Sequence, residues 1–450
     1  MEEVKIFDLI QEYGNSEAIV HNNKTFTYFD LVRKIKFWDE ELRYIRSENV
    51  IGIEGDFSLD SIALIFSLLK KSCIIVPLDI KQKDKNSEKY NIAELNYLVG
   101  IPAREEFQIN HITDHKSDNF FYNRLFEINR PGLVLFTSGS SGIPKAAVHD
   151  FFKLLKKFNK KRRTFVTINF LLFDHWGGLN TMFHILSNGG LLVLLEERSP
   201  DYVCELIDKY QVELLPASPT FLNMLILSRA YKRWSLKSLK LITYGAEPMP
   251  GSLLQLVNNI FPNVNLQQTY GLIELGVLSS KSEGNNSLWV KIGGDGYALR
   301  VVDGLLEIKS DSAMLGYINA PSPYTEDGWF KTGDAVEVNG DYFKILGRKS
   351  ELINVGGEKV FPQEVENVIL ELEEVRDVIV FGEKNPLTGS IVCAKVSISS
   401  GESPHEIIKL IKIHCRNKLA SFKVPVKVTV ETGIAGFENT RFKKERMKWI

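Results

Sequence analysis

The sequence has few cysteines, no long hydrophobic run and almost no net charge. Its four cysteines lie at positions 73, 204, 393 and 415, and because no two form a CxxC pair, neither a zinc ribbon nor a disulfide framework is predicted. The longest apolar runs, such as 62–66 and 190–195, fall far short of the ~20 residues that a membrane helix requires. The 55 Lys and Arg residues balance the 56 Asp and Glu residues, which argues against nucleic acid as the main partner because phosphate binding requires a cationic surplus.

The amino terminus has little basic character. It reads MEEVKIFDLI and lacks the basic-then-apolar order of a signal peptide. Together with the sparse cysteines, this favours a reducing compartment. We therefore expect a cytoplasmic protein without a membrane span.

The composition is that of a globular chain. The 450 residues are 44% hydrophobic and 25% charged, which predicts two or three domains at ordinary domain sizes. Short apolar runs at 49–53 and 73–77 flank a helical pattern at 60–70, so this part predicts a βαβ unit. Similar strand patterns recur at 132–136, 191–195, 212–216 and 239–244. The charged stretch 81–91 is predicted as a loop between them.

The pattern changes in the last third of the chain. After residue 296 the strands become short and turn-rich, and Asn339-Gly340 predicts a β-hairpin turn. After residue 348 a small α+β unit follows, with one helix opening at Pro362 and another at Ser403, where Glu406 is placed to complete a capping box. The predicted fold is α/β: a large N-terminal domain (1–348) with mostly parallel sheets and a β-rich subdomain, and a small mobile α+β C-terminal domain (349–450).

The strongest local motif is a loop of small and hydroxyl residues that follows a buried strand. Small residues let backbone N–H groups approach an anion, hydroxyls add donors, and a lysine adds charge. The loop lacks the Gly-Lys-Ser/Thr run of a Walker motif. The predicted polyphosphate-binding residues are Thr137, Ser138, Gly139, Ser140, Ser141, Gly142 and Lys145.

This loop resembles the T-S-G-[ST]-[ST]-G-x-P-K-G motif of the adenylate-forming superfamily, which includes acyl-CoA synthetases, luciferases and peptide-synthetase adenylation domains. Ala146 stands where the family has its last glycine. Further motifs follow in the family's order, and the resemblance covers the chain from about residue 26 nearly to its end. The resemblance implies ATP-dependent activation of a carboxylic acid to an acyl-adenylate.

A second pair of segments is similar to the family's G-[GA]-[AE]-P and Y-G-x-T-E motifs. The first contributes Gly245, Ala246 and Glu247 to the expected nucleotide site, and the second contributes Tyr270, Gly271, Leu272 and Glu274. The resemblance implies that Tyr270 stacks on adenine and that Glu274 holds Mg²⁺, while Leu272 is expected in the acid pocket. Ile273 replaces the family's threonine, whose hydroxyl touches phosphate.

A third and a fourth motif lie on either side of the expected domain boundary. The run Gly328–Asp334 resembles G-W-[FY]-x-T-G-D, which implies that Asp334 accepts hydrogen bonds from the ribose hydroxyls. Arg348 is expected to reach the same ribose. Ser350 occupies the family's hinge position, and Gly356-Gly357 would let the backbone approach a pantetheine arm.

The final motif is the least regular. The family ends with G-K-[IV]-x-R, whose lysine stabilises the reacting carboxylate and α-phosphate. Here Lys443 and Arg446 keep the K-x-x-R spacing, but Phe442 replaces the glycine and Lys444 is an alternative catalytic lysine.

The acid-binding side overlaps two family patterns in the segment 170–178. A His-x-x-Gly stretch places His175 as the gate of the carboxylate pocket, with Phe173 and Gly178 beside it. A Phe-Asp pattern instead places Asp174 on the amine of an amino-acid substrate. Acyl activation is preferred, and a stand-alone amino-acid adenylation protein remains an alternative.

The acceptor and the remaining alternatives stay open. The resemblance implies a thiol acceptor, either CoA or the phosphopantetheine of an acyl carrier protein, and we expect it to come in trans. The basic run 156–163 either docks such a partner or is a solvated helix end. A nucleotide-binding pseudoenzyme is a third reading, motivated by Ala146, Ile273 and the irregular tail.

Overall fold

The computed structural model describes residues 5–102, 106–137, 143–398 and 403–431. Its α-helices are α1 Ile6–Glu12, α2 Tyr28–Glu41, α3 Leu59–Lys70, α4 Lys83–Ala93, α5 Phe120–Glu127, α6 Phe151–Leu155, α7 Trp176–Ser187, α8 Pro200–Tyr210, α9 Pro219–Ser228, α10 Gly251–Ile260, α11 Pro362–Ile369 and α12 Pro404–Lys418. Its strands are β1 Glu17–His21, β2 Lys24–Thr27, β3 Val50–Gly55, β4 Ile74–Asp79, β5 Tyr97–Gly100, β6 Gln108–His111, β7 Gly132–Thr137, β8 Lys145–Asp150, β9 Thr167–Ile168, β10 Leu192–Val193, β11 Leu214–Ala217, β12 Leu241–Tyr244, β13 Asn265–Gln268, β14 Gly271–Leu272, β15 Gly276–Val277, β16 Ser279–Ser282, β17 Val290–Gly293, β18 Tyr297–Val302, β19 Leu305–Ser310, β20 Gly316–Tyr317, β21 Phe330–Asn339, β22 Tyr342–Arg348, β23 Ile353–Val355, β24 Glu358–Val360, β25 Val375–Asn385, β26 Gly389–Ile398 and β27 Lys427–Glu431.

Two large sheets organise the first part of the chain. One has the order β13-β12-β11-β9-β10-β1-β2 and the other β20-β8-β7-β4-β3-β5-β6. The central strands of both sheets pair in parallel. Antiparallel pairs lie towards the edges, namely β1–β2, β7–β8, β8–β20 and β5–β6. Helices α3 and α7 pack into one core shared by the sheets, with Phe66 and Phe183 in edge contact at 5.6 Å. The predicted α/β fold with mostly parallel sheets is confirmed.

A wholly antiparallel sheet follows, in the order β16-β17-β22-β21-β19-β18. Its strands β21 and β22 are joined at the predicted Asn339-Gly340 turn, and Gly340 adopts the positive φ of +57° that such turns favour. This is the β-rich subdomain expected from the short, turn-rich segments. Its register places Asp334 opposite Arg348.

The C-terminal part has a hydrophobic core of its own. Strands β24-β23-β26-β25 form its sheet, with β27 added in parallel to β26. Apolar side chains of α11 and α12 cover that sheet, among them Val365, Ile369 and Ile411. A separate core agrees with a small α+β unit, while its exact start at residue 349 stays a prediction.

Two local predictions are wrong. The charged stretch 81–91 is not a loop but mostly helix α4, because polar side chains anchor it from inside: Asn86 Nδ2 donates to Glu54 Oε1 at 3.0 Å and Lys89 Nζ to Asn86 Oδ1 at 3.1 Å. The capping box at Ser403 does not form either. The Ser403 side chain makes no capping bond, and the helix begins with Pro404 in its first turn.

The structure also bears on membrane association and on the cysteines. Among the described residues, no helix combines the length and hydrophobicity needed to cross a bilayer. All four cysteines are free and buried. Burial raises the pKa of the Cys73 thiol to about 12, so this cysteine behaves as a core side chain rather than a nucleophile.

Candidate active site

One cavity of about 1150 Å³ collects most of the predicted site residues that the structure describes. Its walls come from the ends of β7, β11, β12 and β13, the hairpin β14–β15, the start of α7, helices α9 and α10, and the C-terminal unit. Predicted residues that line it are Thr137, His175, Gly245, Ala246, Glu247, Tyr270, Gly271, Leu272, Glu274, Asp334 and Arg348. Segments about 200 residues apart in sequence therefore meet at one site.

Asp334 connects the second, third and fourth motifs. The Tyr270 hydroxyl donates to Asp334 Oδ2 at 2.6 Å, and Arg348 Nε lies 3.3 Å from Asp334 Oδ1. Burial, and then the Asp334 charge, raises the pKa of Tyr270 well above its ordinary value, so the phenol stays a donor. The β21–β22 register accounts for the Asp334–Arg348 pair, because the two residues face each other across the ladder.

Tyr317 lies between Glu274 and Lys145, the lysine that follows the phosphate loop. The Tyr317 hydroxyl donates to Glu274 Oε1 at 2.5 Å, and Lys145 Nζ lies 5.6 Å from the centre of the Tyr317 ring. Strand β20 pairs with β8, which brings Tyr317 beside Lys145. Sequence reasoning missed Tyr317 because only this long-range strand pairing places it here.

Asn319 fixes the chain where it leaves the phosphate loop. Its side-chain carbonyl accepts from the Ala146 N–H at 3.0 Å, and its amide donates to the Pro144 carbonyl at 2.8 Å. The residues before Lys145 are thereby held to the strand that carries Tyr317. The loop residues Ser138–Gly142 lie outside the described residues.

The carboxylate of Glu274 suits a magnesium ion that arrives with ATP. Mg²⁺ takes oxygen ligands and is commonly bound by one or two carboxylates plus substrate phosphates. Among the described residues no group of three His, Cys, Asp or Glu side chains is arranged to hold a metal by itself.

The 245–247 loop is held in a strained conformation. Ala246 has a φ of +68°, a region that L-residues adopt infrequently. A Cβ on Gly245 would lie 2.4 Å from Thr269 Oγ1, so only glycine permits this approach. Glu247 Oε1 accepts from the Thr220 N–H at 2.6 Å, in the first turn of α9. Glu247 therefore anchors this loop to a helix start.

The acid-side segment divides into cavity-facing and core-facing residues. His175 lines the cavity at the residue before α7. Phe173 instead packs against Phe57 with ring centroids 5.2 Å apart, and Gly178 packs so tightly that a Cβ would lie 2.3 Å from the Leu172 carbonyl oxygen. Neither residue is among those that line the cavity.

Asp174 is also absent from the cavity lining. It is buried and does not line the cavity wall. Burial raises the pKa of Asp79, and the charges of Asp174 and Asp56 contribute to the rise. The geometry therefore does not place Asp174 where it would meet a substrate amine, which was the basis for the amino-acid alternative.

The structure describes the predicted hinge residue but not the predicted catalytic lysines. Ser350 is exposed in a short 3-10 turn, 349–351, between β22 and β23. That position suits a residue that changes backbone angles, and its hinge role stays a prediction. Lys443 and Lys444 lie outside the described residues.

The cavity brings together Thr137 at the end of β7, the Tyr270–Asp334–Arg348 cluster and the Glu274 carboxylate, which is the set that the motifs of the adenylate-forming class of enzymes predict. The sequence model of the family "AMP-binding enzyme" matches residues 93–309. The model "AMP-binding enzyme C-terminal domain" matches residues 364–439. The chain belongs to the AMP-binding enzyme family, and the resemblance seen in the motifs is confirmed.

Characterised relatives are similar over much or all of the chain. An indoleacetate–CoA ligase of Aromatoleum aromaticum is 27% identical over 66% of this chain and 63% of its own length. A 2-succinylbenzoate–CoA ligase of Listeria innocua is 23% identical over 96% of each chain. Among solved structures, the anthranilate–CoA ligase AuaEII in complex with anthranoyl-AMP superposes with a TM-score of 0.80 at 18% identity, covering 96% of this chain and 94% of that one. At that identity the likeness supports the fold.

Proposed function

We propose that the protein is an AMP-forming acid–thiol ligase. A carboxylic acid attacks the α-phosphate of ATP, so that an acyl-adenylate forms and pyrophosphate leaves. A thiol then attacks the acyl carbon and AMP leaves. The observation that carries the proposal is the Tyr270–Asp334–Arg348 cluster, which shares one cavity with Glu274 and the acid-side residue His175.

The nucleotide roles follow from the chemistry of the residues. The two oxygens of Asp334 suit two ribose hydroxyls, and Arg348, beside Asp334, supplies donors to the same sugar. Partial burial opposes the charge on Arg348, but Asp334 and then Glu274 outweigh it and raise the pKa, so the guanidinium stays cationic. We assign the adenine contact to Tyr270 and the phosphate contacts to the loop 137–142 and Lys145.

The remaining roles complete the proposal. Glu274 would hold the Mg²⁺ of MgATP, and that ion neutralises phosphate charge when it is bound. His175 would gate the carboxylate pocket, and Lys443 or Lys444 would stabilise negative charge around phosphorus. Ser350 would be the hinge at which the small domain, residues 349–450, turns between the two steps.

We propose CoA as the acceptor thiol, since the relatives named above are CoA ligases, with a carrier-protein phosphopantetheine as the second candidate. The acid itself is open, because the same relatives act on indoleacetate and 2-succinylbenzoate. We propose a cytoplasmic location, which the four free, buried thiols support.

Acid-dependent ATP–pyrophosphate exchange tests the proposal. A panel of fatty, aryl, dicarboxylic and amino acids is compared for wild type, Lys443→Ala and Lys444→Ala. One lysine variant is expected to lose ~10²–10³-fold in rate, as for loss of one electrostatic partner of a transition state. ATP binding without exchange for any acid would contradict the ligase proposal and favour a pseudoenzyme.

A further inference from the structure

One large side chain closes the acyl end of the cavity. Trp176 is the first residue of α7 and follows His175, the expected gate of the carboxylate pocket. Both residues line the cavity, yet only 2% of the Trp176 surface is exposed. The indole therefore lies at the boundary between the acid-binding side of the cavity and the protein interior.

Protein side chains fill the space behind the indole. The Phe151 ring packs edge-on against it with ring centroids 6.2 Å apart, and Lys157 Nζ lies 5.9 Å from the centre of the Trp176 ring. Trp176 and Leu154 also belong to one hydrophobic core. Phe151, Leu154 and Lys157 are not among the residues that line the cavity. On this side the cavity consequently ends at Trp176.

The hairpin β14–β15 also packs against the indole. A Cβ on Gly276 would lie 3.1 Å from Trp176 Nε1, so the hairpin backbone approaches the ring closely at a residue without a side chain. Lys157 Nζ donates to the Val277 carbonyl at 3.1 Å, which holds the hairpin in this position. Val277 itself lines the cavity. The hairpin and the indole are therefore in contact where they border the cavity.

We propose that Trp176 limits the length of the acid, so that the protein activates short-chain or single-ring acids in preference to long-chain acids. The proposal rests on the ligase function above: the carboxylate meets ATP at His175, and the acyl group extends past Val277 to the indole. A longer acyl group would have to enter the packed core, and packed cores resist added methylene groups. One methylene group too many in such a pocket lowers kcat/KM ~10–200-fold.

The size of the indole makes this limit removable. Trp176→Ala would open the cavity onto Phe151 and Leu154, which are apolar. An apolar cavity of about 150 Å³ holds a benzene ring, and the loss of an indole leaves a space of that order. Trp176→Phe would open less space and would keep an aromatic ring against Phe151. The two variants should therefore admit longer acids to different extents.

A homologous series of acids tests the proposal. Straight-chain acids of two to twelve carbons, and phenylacetate beside 4-butylphenylacetate, are compared in acid-dependent ATP–pyrophosphate exchange. Titration calorimetry with a non-hydrolysable ATP analogue gives the Kd of each acid without turnover. In wild type, kcat/KM should peak in the shorter half of the series and then fall ~10-fold or more for each added methylene group.

Variants assign the limit to the indole. Trp176→Ala should move the peak about two carbons or more towards longer acids, in kcat/KM and in Kd, and Trp176→Phe should move it less. Trp234→Ala is the matched control, because Trp234 is exposed and is not among the residues that line the cavity, and it should keep the wild-type peak. Thermal unfolding verifies that each variant is folded, and Trp176→Phe decides if Trp176→Ala is not.

The outcomes separate the two proposals. A wild-type peak in the longer half of the series, or the same peak in wild type and a folded Trp176 variant, would overturn the length limit. The same holds for an equal shift in Trp234→Ala and for failure of every acid to bind. Acid binding whose preferred length depends on Trp176, without any exchange, would support the length limit and contradict the ligase function.

Discussion

The nucleotide end and the acyl end of the cavity differ in how their polar groups are satisfied. At the nucleotide end, Tyr270, Asp334 and Arg348 are joined to one another, and Glu274 accepts from Tyr317. At the acyl end, the indole N–H of Trp176 is buried and has no hydrogen-bond partner among the described residues. The polar groups of the first end therefore satisfy one another, whereas the second end has a buried donor that no described residue satisfies.

This difference suits the two ends of the cavity to different ligands. A preorganised set of groups needs no rearrangement when its ligand arrives, which suits a nucleotide that is the same in every reaction. Unpartnered buried groups instead penalise any ligand that fails to satisfy them, which suits discrimination among acids. The four predictions below run from the largest expected effect to the smallest, and the last three test this division.

Acidification should destabilise the protein through His149, a fully buried residue of β8. Burial lowers its pKa to about 4 against the opposing effect of the Ile273 backbone, whereas the unfolded chain titrates near 6.5. The unfolded state therefore binds more protons below pH 6.5, and the stability contributed by neutral His149 falls by about 3 kcal/mol between pH 6.5 and 4.

Urea unfolding across that pH range measures the effect. His149→Phe should reduce the pH slope of the free energy of unfolding, and the exposed His405→Phe should leave it unchanged. His184, whose pKa burial also lowers to about 4, keeps part of the slope in the variant. An identical slope in wild type and His149→Phe would contradict the prediction.

Asp334→Asn should damage the nucleotide end for every acid alike. The substitution removes the charge that pairs with Arg348 and one acceptor for the ribose, so kcat/KM for ATP should fall ~10²-fold, as for comparable charge-assisted contacts. Exchange measured at varied ATP checks this, with exposed Lys331→Ala as control. A change confined to KM for the acid would contradict the assignment.

Gly178→Ala should damage the acyl end without touching the nucleotide groups. A Cβ there would lie 2.3 Å from the Leu172 carbonyl oxygen, so the segment before His175 must move. Overpacking of this kind costs about 1–3 kcal/mol, and we expect KM for the acid to rise ~10-fold with KM for ATP unchanged.

The matched control for this change is Gly284→Ala, where nothing lies within 4 Å of the added Cβ. Thermal unfolding reports the cost in stability, and exchange at varied acid reports KM. If Gly178→Ala raised KM for ATP as much as KM for the acid, the two ends would not be separable in this way.

Tyr317→Phe should have the smallest effect. It removes one hydrogen bond to Glu274, worth about 1 kcal/mol, so the Mg²⁺ concentration for half-maximal exchange should rise ~5-fold. Tyr324→Phe removes a similar bond, to the Met314 carbonyl at 2.8 Å, and should leave the Mg²⁺ dependence unchanged. Equal Mg²⁺ dependence in both variants would count against metal binding at Glu274.

Much of the fold was predictable from sequence because its signals are local. A short local pattern predicts each of several elements: the buried apolar strands, the Asn339-Gly340 turn and the helix that begins at Pro362. The helix 83–93 was missed because buried polar contacts of Asn86 and Lys89 hold it, rather than an apolar stripe. The many charged residues of that stretch suggested a solvated loop, although some of its polar side chains are buried.

The site residues that could be predicted are those that lie in short contiguous motifs. Asp334, Tyr270 and Glu274 lie in recognisable runs, and the structure brings them to one cavity. Tyr317 reaches the site through the pairing of β20 with β8, two elements with no common motif, so no local signal identified it. Asp174 and Gly178 share a motif with His175, but of the three only His175 lines the cavity. A local motif therefore does not tell which of its residues meets the substrate.

The two bonds of Asn319 affect the entropy of nucleotide binding. They hold Pro144 and Ala146 beside β20, so the conformational freedom of this segment is lost when the chain folds rather than when ATP arrives. Ordering a backbone residue costs about 1–2 kcal/mol at 25 °C. The fold therefore presents Lys145 at a fixed point in space, and a larger share of its attraction for phosphate remains available as affinity.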